Sequence, residues 1–362
     1  MNERMEAPTA GRLVTIDDLH APVRVELDRV QEELARFFHC EVRLINEIAE
    51  HVVLTVGKRM RPTLLLLVAK LGAEAGFAGP AGGAAGAGNG SGGDPVRHPV
   101  SHQAIVAATI VELIHTATLV HDDSIDRSYL RRGLPTVNSI WNDQTAVIMG
   151  DYLYSKGFHL LVENNLWDVM GILAGTTYRM SIGEMLELEK KRDPSTTEAD
   201  YLKMIEEKTA TLIAAASEIG ALLSFGDGPE RQHFKQFGLD LGMAFQITDD
   251  LLDYEGETLV VGKTTGADIK DGKITLPLIH ALRMAPPERA ARIREIAAAP
   301  EISDAQWTQV QAFAAEFGGL DYCRDLCRRY ADAAEAGLTR FGGSPYARTL
   351  SASIDYVLHR RR

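Results

Sequence analysis

The sequence predicts an all-α protein built as one large helical domain. Apolar residues recur at helical spacing through long windows, alternating segments of period two are scarce, and several windows open on Ser, Thr or Pro. Leu27, Val30, Leu34, Phe37 and Phe38 mark the first helix. Pro62 opens the next, in "RPTLLLLVAKLGA", at a position where its missing N–H costs nothing. Residues 102–126 and 143–163 follow as apolar helices. "STTEADYLKMIEEKTATLIAAASEIGALL" begins with hydroxyl and acidic residues suited to an N-cap and runs on to about residue 224. Further helices are expected at 230–254, 274–284, 304–317, 321–341 and 345–359.

Two stretches fall outside this pattern. Residues 1–20 are expected to be a flexible N-terminus, leaving 21–362 as a single domain. Residues 78–95, "AGPAGGAAGAGNGSGGDP", carry too little side chain to offset the entropy of ordering. They read as a flexible insertion, because the helices on both sides look like parts of one bundle.

A net charge of −12 argues against general nucleic-acid binding, which needs a basic face for the phosphates. It leaves room for a small phosphorylated ligand, since local charge governs that. Cys40, Cys323 and Cys327 are too few for a disulfide framework and point to a reducing, cytoplasmic setting. The N-terminal residues are charged where a signal peptide needs an apolar core. "AIVAATIVELIHTATLV" is interrupted by Glu112 and His115, so no transmembrane segment is expected.

One short motif recurs. Asp-Asp-x-x-Asp appears as Asp122, Asp123 and Asp126, and again as Asp249, Asp250 and Asp253. Residues four apart on a helix share a face, so each copy sets like charges together, which costs a few tenths of a kcal/mol per pair. Both copies adjoin apolar helices, where burial raises that cost. Bound cations would offset it. Ligands that are all carboxylate oxygens favour Mg²⁺, or Mn²⁺, over zinc, and Mg²⁺ completes its shell with water and phosphate oxygens. Neither copy has the alternating ligands of a calcium-binding EF-hand loop.

Phosphate would need further cations. "GKRMRP" supplies Lys58, Arg59 and Arg61, and "RRG" supplies Arg131 and Arg132. Lys208 lies in "EEKTATL", and Lys263, Lys270 and Lys273 in "GKTTGADIKDGKITLP". Arg forks and Lys point charges are the usual phosphate binders.

These motifs, in this order from about residue 50 to 280, resemble the trans-isoprenyl diphosphate synthases, the polyprenyl synthetase family. "ELIHTATLVHDDSIDRSYLRRGLPTVN", "GDYLYSKG" and "FQITDDLLDY" complete the set. The resemblance implies an isoprenoid-synthase helical bundle around a deep central cavity, a homodimer and three Mg²⁺ ions. It implies a Mg-dependent prenyltransferase that condenses an allylic prenyl diphosphate with isopentenyl diphosphate. Asp122, Asp126 and Asp249 look like the principal metal ligands, with Asp123, Asp250 and Asp253 supporting. Lys58, Arg61, His115 and Arg132 are similar to the isopentenyl diphosphate site. Arg131, Lys208, Thr209, Gln246 and Lys263 resemble contacts to the allylic diphosphate, and Lys273 matches a motif position. His115 also stands two helical turns before Asp122, on the same face.

In this family a bulky aromatic residue four or five positions before the first aspartate stops chain growth. Here Ala117 and Thr118 occupy those positions. The resemblance therefore implies a product longer than C20, roughly C30 to C50, with transient membrane contact for its release. A short-chain synthase, with its floor supplied by another helix, and a non-catalytic subunit of a heteromeric synthase stay open as alternatives. A terpene cyclase is disfavoured by the second complete aspartate motif and by "GKRMRP".

Overall fold

In the computed structural model, residues 13–38, 40–54, 57–76, 100–255 and 266–360 are described. The Gly/Ala-rich stretch at 78–95 lies outside them, as does Lys263.

Three short or medium helices begin the chain: α1 (Ile16–His20), α2 (Arg24–Phe38) and α3 (Arg43–Leu54). Thr15 caps α1 through a reciprocal bond with Asp18, and Leu19 is fully buried. The flexible N-terminus expected through residue 20 is thus corrected at its end, because burying Leu19 rewards ordering of that turn. Next come α4 (Met60–Glu74) and α5 (His102–Ile125). α4 is buried from Pro62 through Gly72, the mark of a helix surrounded by others. α5 is long and apolar enough to cross a membrane, but 72% of its most apolar window is buried inside the protein. It is a core helix.

A two-stranded antiparallel hairpin follows, β1 (Leu130–Arg131) with β2 (Leu134–Pro135). Then come α6 (Val137–Ile140), α7 (Asp143–Glu163) and α8 (Trp167–Lys190). The sequence pattern gave no element for α8, α3 or α14. The single helix expected from the "STTEAD" segment to 224 is divided. α9 (Glu198–Ile205), capped by Thr197, passes through a π-turn at Glu206–Ala210 into α10 (Thr211–Phe225).

The chain continues through α11 (Pro229–Glu255), α12 (Ala267–Lys270), α13 (Leu276–Met284), α14 (Pro287–Ala297), α15 (Asp304–Glu316), α16 (Gly319–Leu338) and α17 (Pro345–His359). One apolar core gathers α2, α4, α5, α7 and α10; a second gathers α9 and α13 to α16. α11 contributes to both. The two acidic motifs end α5 and α11, so packing of these core helices positions them.

Candidate active site

The first motif closes α5. The Asp126 amide donates to the Asp122 carbonyl at 2.8 Å, ending the helix. Asp122 is half-buried, and burial together with the nearby Glu184 carboxylate pushes its carboxyl up to about 7. Asp123 is buried and held by Arg131, whose Nε lies 2.9 Å from both carboxylate oxygens and whose Nη2 lies 2.8 Å from Oδ1. This multiple fork fixes the hairpin residue against α5. Asp123 and Arg131, expected at the metal and at the allylic diphosphate, pair with each other here.

Asp126 receives Lys273 Nζ at 3.1 Å. The same ammonium lies 3.1 Å from Glu187, on α8. Lys208 sits in the π-turn and reaches both Glu184 and Glu187 at 2.9 Å. Charges therefore alternate from Glu184 through Lys208, Glu187 and Lys273 to Asp126, joining α8, the π-turn, the segment after α12 and α5. The acidic groups raise the Lys208 and Lys273 ammonium groups above their ordinary range, against a burial effect that is individually largest. The two lysines stay charged.

The π-turn is shaped for this task. A Cβ on Gly183 would come closer than 3.0 Å to the backbone N and Cα of Lys208, so only glycine lets α8 approach there. Arg179, one turn earlier on α8, pairs with Glu206 at 2.6 Å and Glu207 at 2.7 Å, bracing the turn from the same helix. Such turns recur at functional sites.

In the second motif the three aspartates have different surroundings. Asp249 is half-exposed and meets Arg360, whose Nη2 lies 2.5 Å away. Asp250 is buried and accepts hydrogen bonds from the Tyr201 hydroxyl at 2.6 Å and the Gln246 amide at 2.8 Å. Gln246 in turn accepts from the Thr209 hydroxyl at 2.9 Å. Burial drives the Asp250 carboxyl well above its usual range. Asp253 is buried and accepts from the amides of Ala267 at 3.4 Å and Asp268 at 3.1 Å, fastening α12 to α11. Asp250 and Asp253, expected to support the metal, have these protein groups as their partners here. Among the described residues, no group of three His, Cys, Asp or Glu side chains converges as a metal cage.

His51, Gly57, Glu112, His115, Thr116, Asp123 and Arg131 line a cleft along α5. Gly57 has no side chain because the Arg132 guanidinium occupies that space, which ties "GKRMRP" to "RRG". Burial lowers Arg61 to about 10, and its Nε is buried with no hydrogen-bond partner. Burial, then Arg61 and Arg132, keep the His115 imidazole well below its usual range, hence neutral at physiological pH. Burial raises the Glu112 carboxyl while the same arginines oppose the effect. Lys58 is exposed, its Nζ 5.6 Å from the Tyr356 ring centre. The unpartnered Arg61 guanidinium nitrogen, with the Arg132 charge nearby, suits an anion.

Ala117 is fully buried, and Thr118 gives its hydroxyl to the His115 carbonyl at 2.7 Å. Sequence reasoning missed Glu184 and Glu187, because it assigned no helix there, and Arg360, 111 residues from Asp249. The spacing of Val169, Leu173, Thr176, Met180 and Gly183 would have found α8.

A helical bundle with paired acidic motifs and a cationic cleft defines a diphosphate-handling enzyme. Comparison with known proteins agrees. The polyprenyl synthetase family model matches residues 42–313. An all-trans-nonaprenyl-diphosphate synthase (geranyl-diphosphate specific) of Rhodobacter capsulatus is 36% identical, covering 92% of this chain and 94% of its own. Octaprenyl diphosphate synthase of Haemophilus influenzae is 31% identical over 95% and 97%. A polyprenyl synthase of Caulobacter crescentus, solved with calcium and isoprenyl diphosphate, superposes with a TM-score of 0.84 at 33% identity, covering 97% and 99%. The chain belongs to the polyprenyl synthetase family and is a prenyltransferase.

Proposed function

We propose that the protein condenses isopentenyl diphosphate onto an allylic prenyl diphosphate, head to tail and repeatedly, to give an all-trans polyprenyl diphosphate longer than C20. The observation that carries this reading is the alternating set Glu184, Lys208, Glu187, Lys273 and Asp126 beside Asp122, together with a second group of cations, Arg61 and Arg132, whose charges act on His115. Two diphosphates need two such places.

Asp122, Asp126 and Asp249 fit Mg²⁺: all offer carboxylate oxygen, and Asp126 and Asp249 already attract positive groups, Lys273 and Arg360, whose place a metal would take. When bound there, Mg²⁺ would neutralise charge on the allylic diphosphate as its C–O bond breaks. Lys208 and Lys273 add fixed positive charge at the same group, and Thr209 and Gln246 orient it. Arg61, Arg132 and neutral His115 hold isopentenyl diphosphate, whose double bond attacks the allylic carbon. The released pyrophosphate takes the final proton, so no separate base is required. Buried Ala117 and the internally bonded Thr118 leave the path past α5 apolar and without an aromatic stop.

A homodimer belongs to this reading. Val147 and Ile148 on α7, and Trp167, Tyr178 and Met185 on α8, are exposed apolar side chains on adjoining helices. Three free thiols fit a reducing cytoplasm. The test is incorporation of labelled isopentenyl diphosphate into solvent-extractable product with an allylic primer and Mg²⁺. Wild type should incorporate label and Asp122→Asn should not; incorporation by both would remove Asp122 from the mechanism.

A further inference from the structure

Lys273 approaches the acidic site from a segment, residues 266–273, that must itself be held. Its inner end is fastened by Asp253. Its outer end meets Arg192, two residues beyond α8. The Arg192 amide donates to the Gly272 carbonyl at 2.8 Å. Its guanidinium donates to the Lys270 carbonyl at 3.2 Å and to the Ala299 carbonyl, past the end of α14, at 2.6 Å.

Both partners show how tight this clasp is. Arg192 has φ +60°, a left-handed conformation that costs a side-chain-bearing residue about 1 kcal/mol or more. Gly272 has φ +89°, and a Cβ there would lie 2.7 Å from Arg192 Cγ. Strain of this kind persists where surrounding contacts enforce it. Glu187 stands five residues before Arg192 and takes the Lys273 ammonium at 3.1 Å. The end of α8 thus grips one segment twice, at the Gly272 carbonyl and at the Lys273 side chain.

We infer that Arg192 is a positioning residue that sets Lys273 in the diphosphate site by holding the 270–273 backbone against α8. The inference rests on the reading of Lys273 as a diphosphate contact. Arg192 touches no reacting atom in it; a planar fork reaching two carbonyls is a task lysine cannot perform.

The experiment is calorimetric titration of inorganic pyrophosphate with Mg²⁺ into the full chain, as wild type, Arg192→Met, Lys273→Met and the double variant, each checked by thermal denaturation. Arg192→Lys is the second single variant, retaining charge and most of the stem should Arg192→Met fold poorly. Arg192→Met or Arg192→Lys should weaken binding about tenfold, the scale of losing an orienting partner. In the Lys273→Met background the same change should alter affinity less than about twofold, because both act through one ammonium. Weakening of full size in both backgrounds, or none in the wild-type background, would overturn the role of Arg192 while leaving Lys273 in place. Unchanged binding by Lys273→Met would overturn the reading of Lys273, and this inference with it.

Discussion

Arg360 Nη2 lies 2.5 Å from Asp249 Oδ1, so the C-terminal end of the described chain supplies a cation to the second acidic motif. The guanidinium also sits 3.7 Å from the Phe245 ring centre and donates to the Phe245 carbonyl at 2.9 Å. With Asp249 as a proposed metal ligand, this internal cation would compete with the metal. Asp249 is 44% exposed, which limits the pair to about 1 kcal/mol. Arg360→Gln should therefore tighten Mn²⁺ binding to the substrate-free protein by roughly fivefold. Titration followed by electron paramagnetic resonance of free Mn²⁺ reads this directly; equal or weaker binding would show that Arg360 does not guard Asp249.

Asp122 gives the metal-free protein a pH dependence of definite sign. Its folded value is pushed up to about 7, against about 3.9 in an unfolded chain. The folded state holds the proton more tightly, so this contribution to stability is full below about pH 4 and is lost as pH rises through about 7. Asp122→Asn mimics the protonated group. It should stabilise the metal-free protein at pH 8 by roughly 1–4 kcal/mol while abolishing condensation. A melting temperature at pH 8 no higher than wild type would mean that the carboxylate carries no such cost.

Glycines on α8 should respond to substitution by position. Gly183→Ala drives a methyl into the Lys208 backbone and should cost about 1–3 kcal/mol while raising KM for the allylic diphosphate. Gly175→Ala meets nothing within 4 Å and should be neutral or stabilising by up to ~1 kcal/mol. Denaturant melts of the two variants compare them; similar losses would deny the π-turn its close contact.

Chain length should depend on the first turn before Asp122. Ala117→Phe places a ring where α5 has only a buried methyl and should shorten the dominant product, as resolved by reverse-phase chromatography. An unchanged product would mean that the growing chain runs elsewhere.

Both aspartate motifs could be read from sequence because carboxylates four apart beside an apolar helix are a local signal with a local cost. Their division of labour could not. Asp123 is held by Arg131 across a hairpin, and Asp250 by Tyr201, 49 residues away. Lys273 meets Asp126 across 147 residues. No spacing rule encodes such pairings; packing of α5, α8 and α11 creates them. α8 escaped notice because Gly171, Gly175 and Gly183 weaken its helical propensity. The π-turn at Glu206–Ala210 looks like ordinary helix in sequence, since its widened hydrogen-bond register follows from tertiary contact. The basic motifs were legible as a set, and the closeness of Gly57 to Arg132 shows that two of them lie side by side.

The most direct measurement is the mass spectrum of the product formed from farnesyl diphosphate, excess isopentenyl diphosphate and Mg²⁺. A polyprenyl diphosphate longer than C20, with a maximum in roughly the C30 to C50 range, is the predicted result. Absence of any condensation, or a product that stops at C15 or C20, would contradict it.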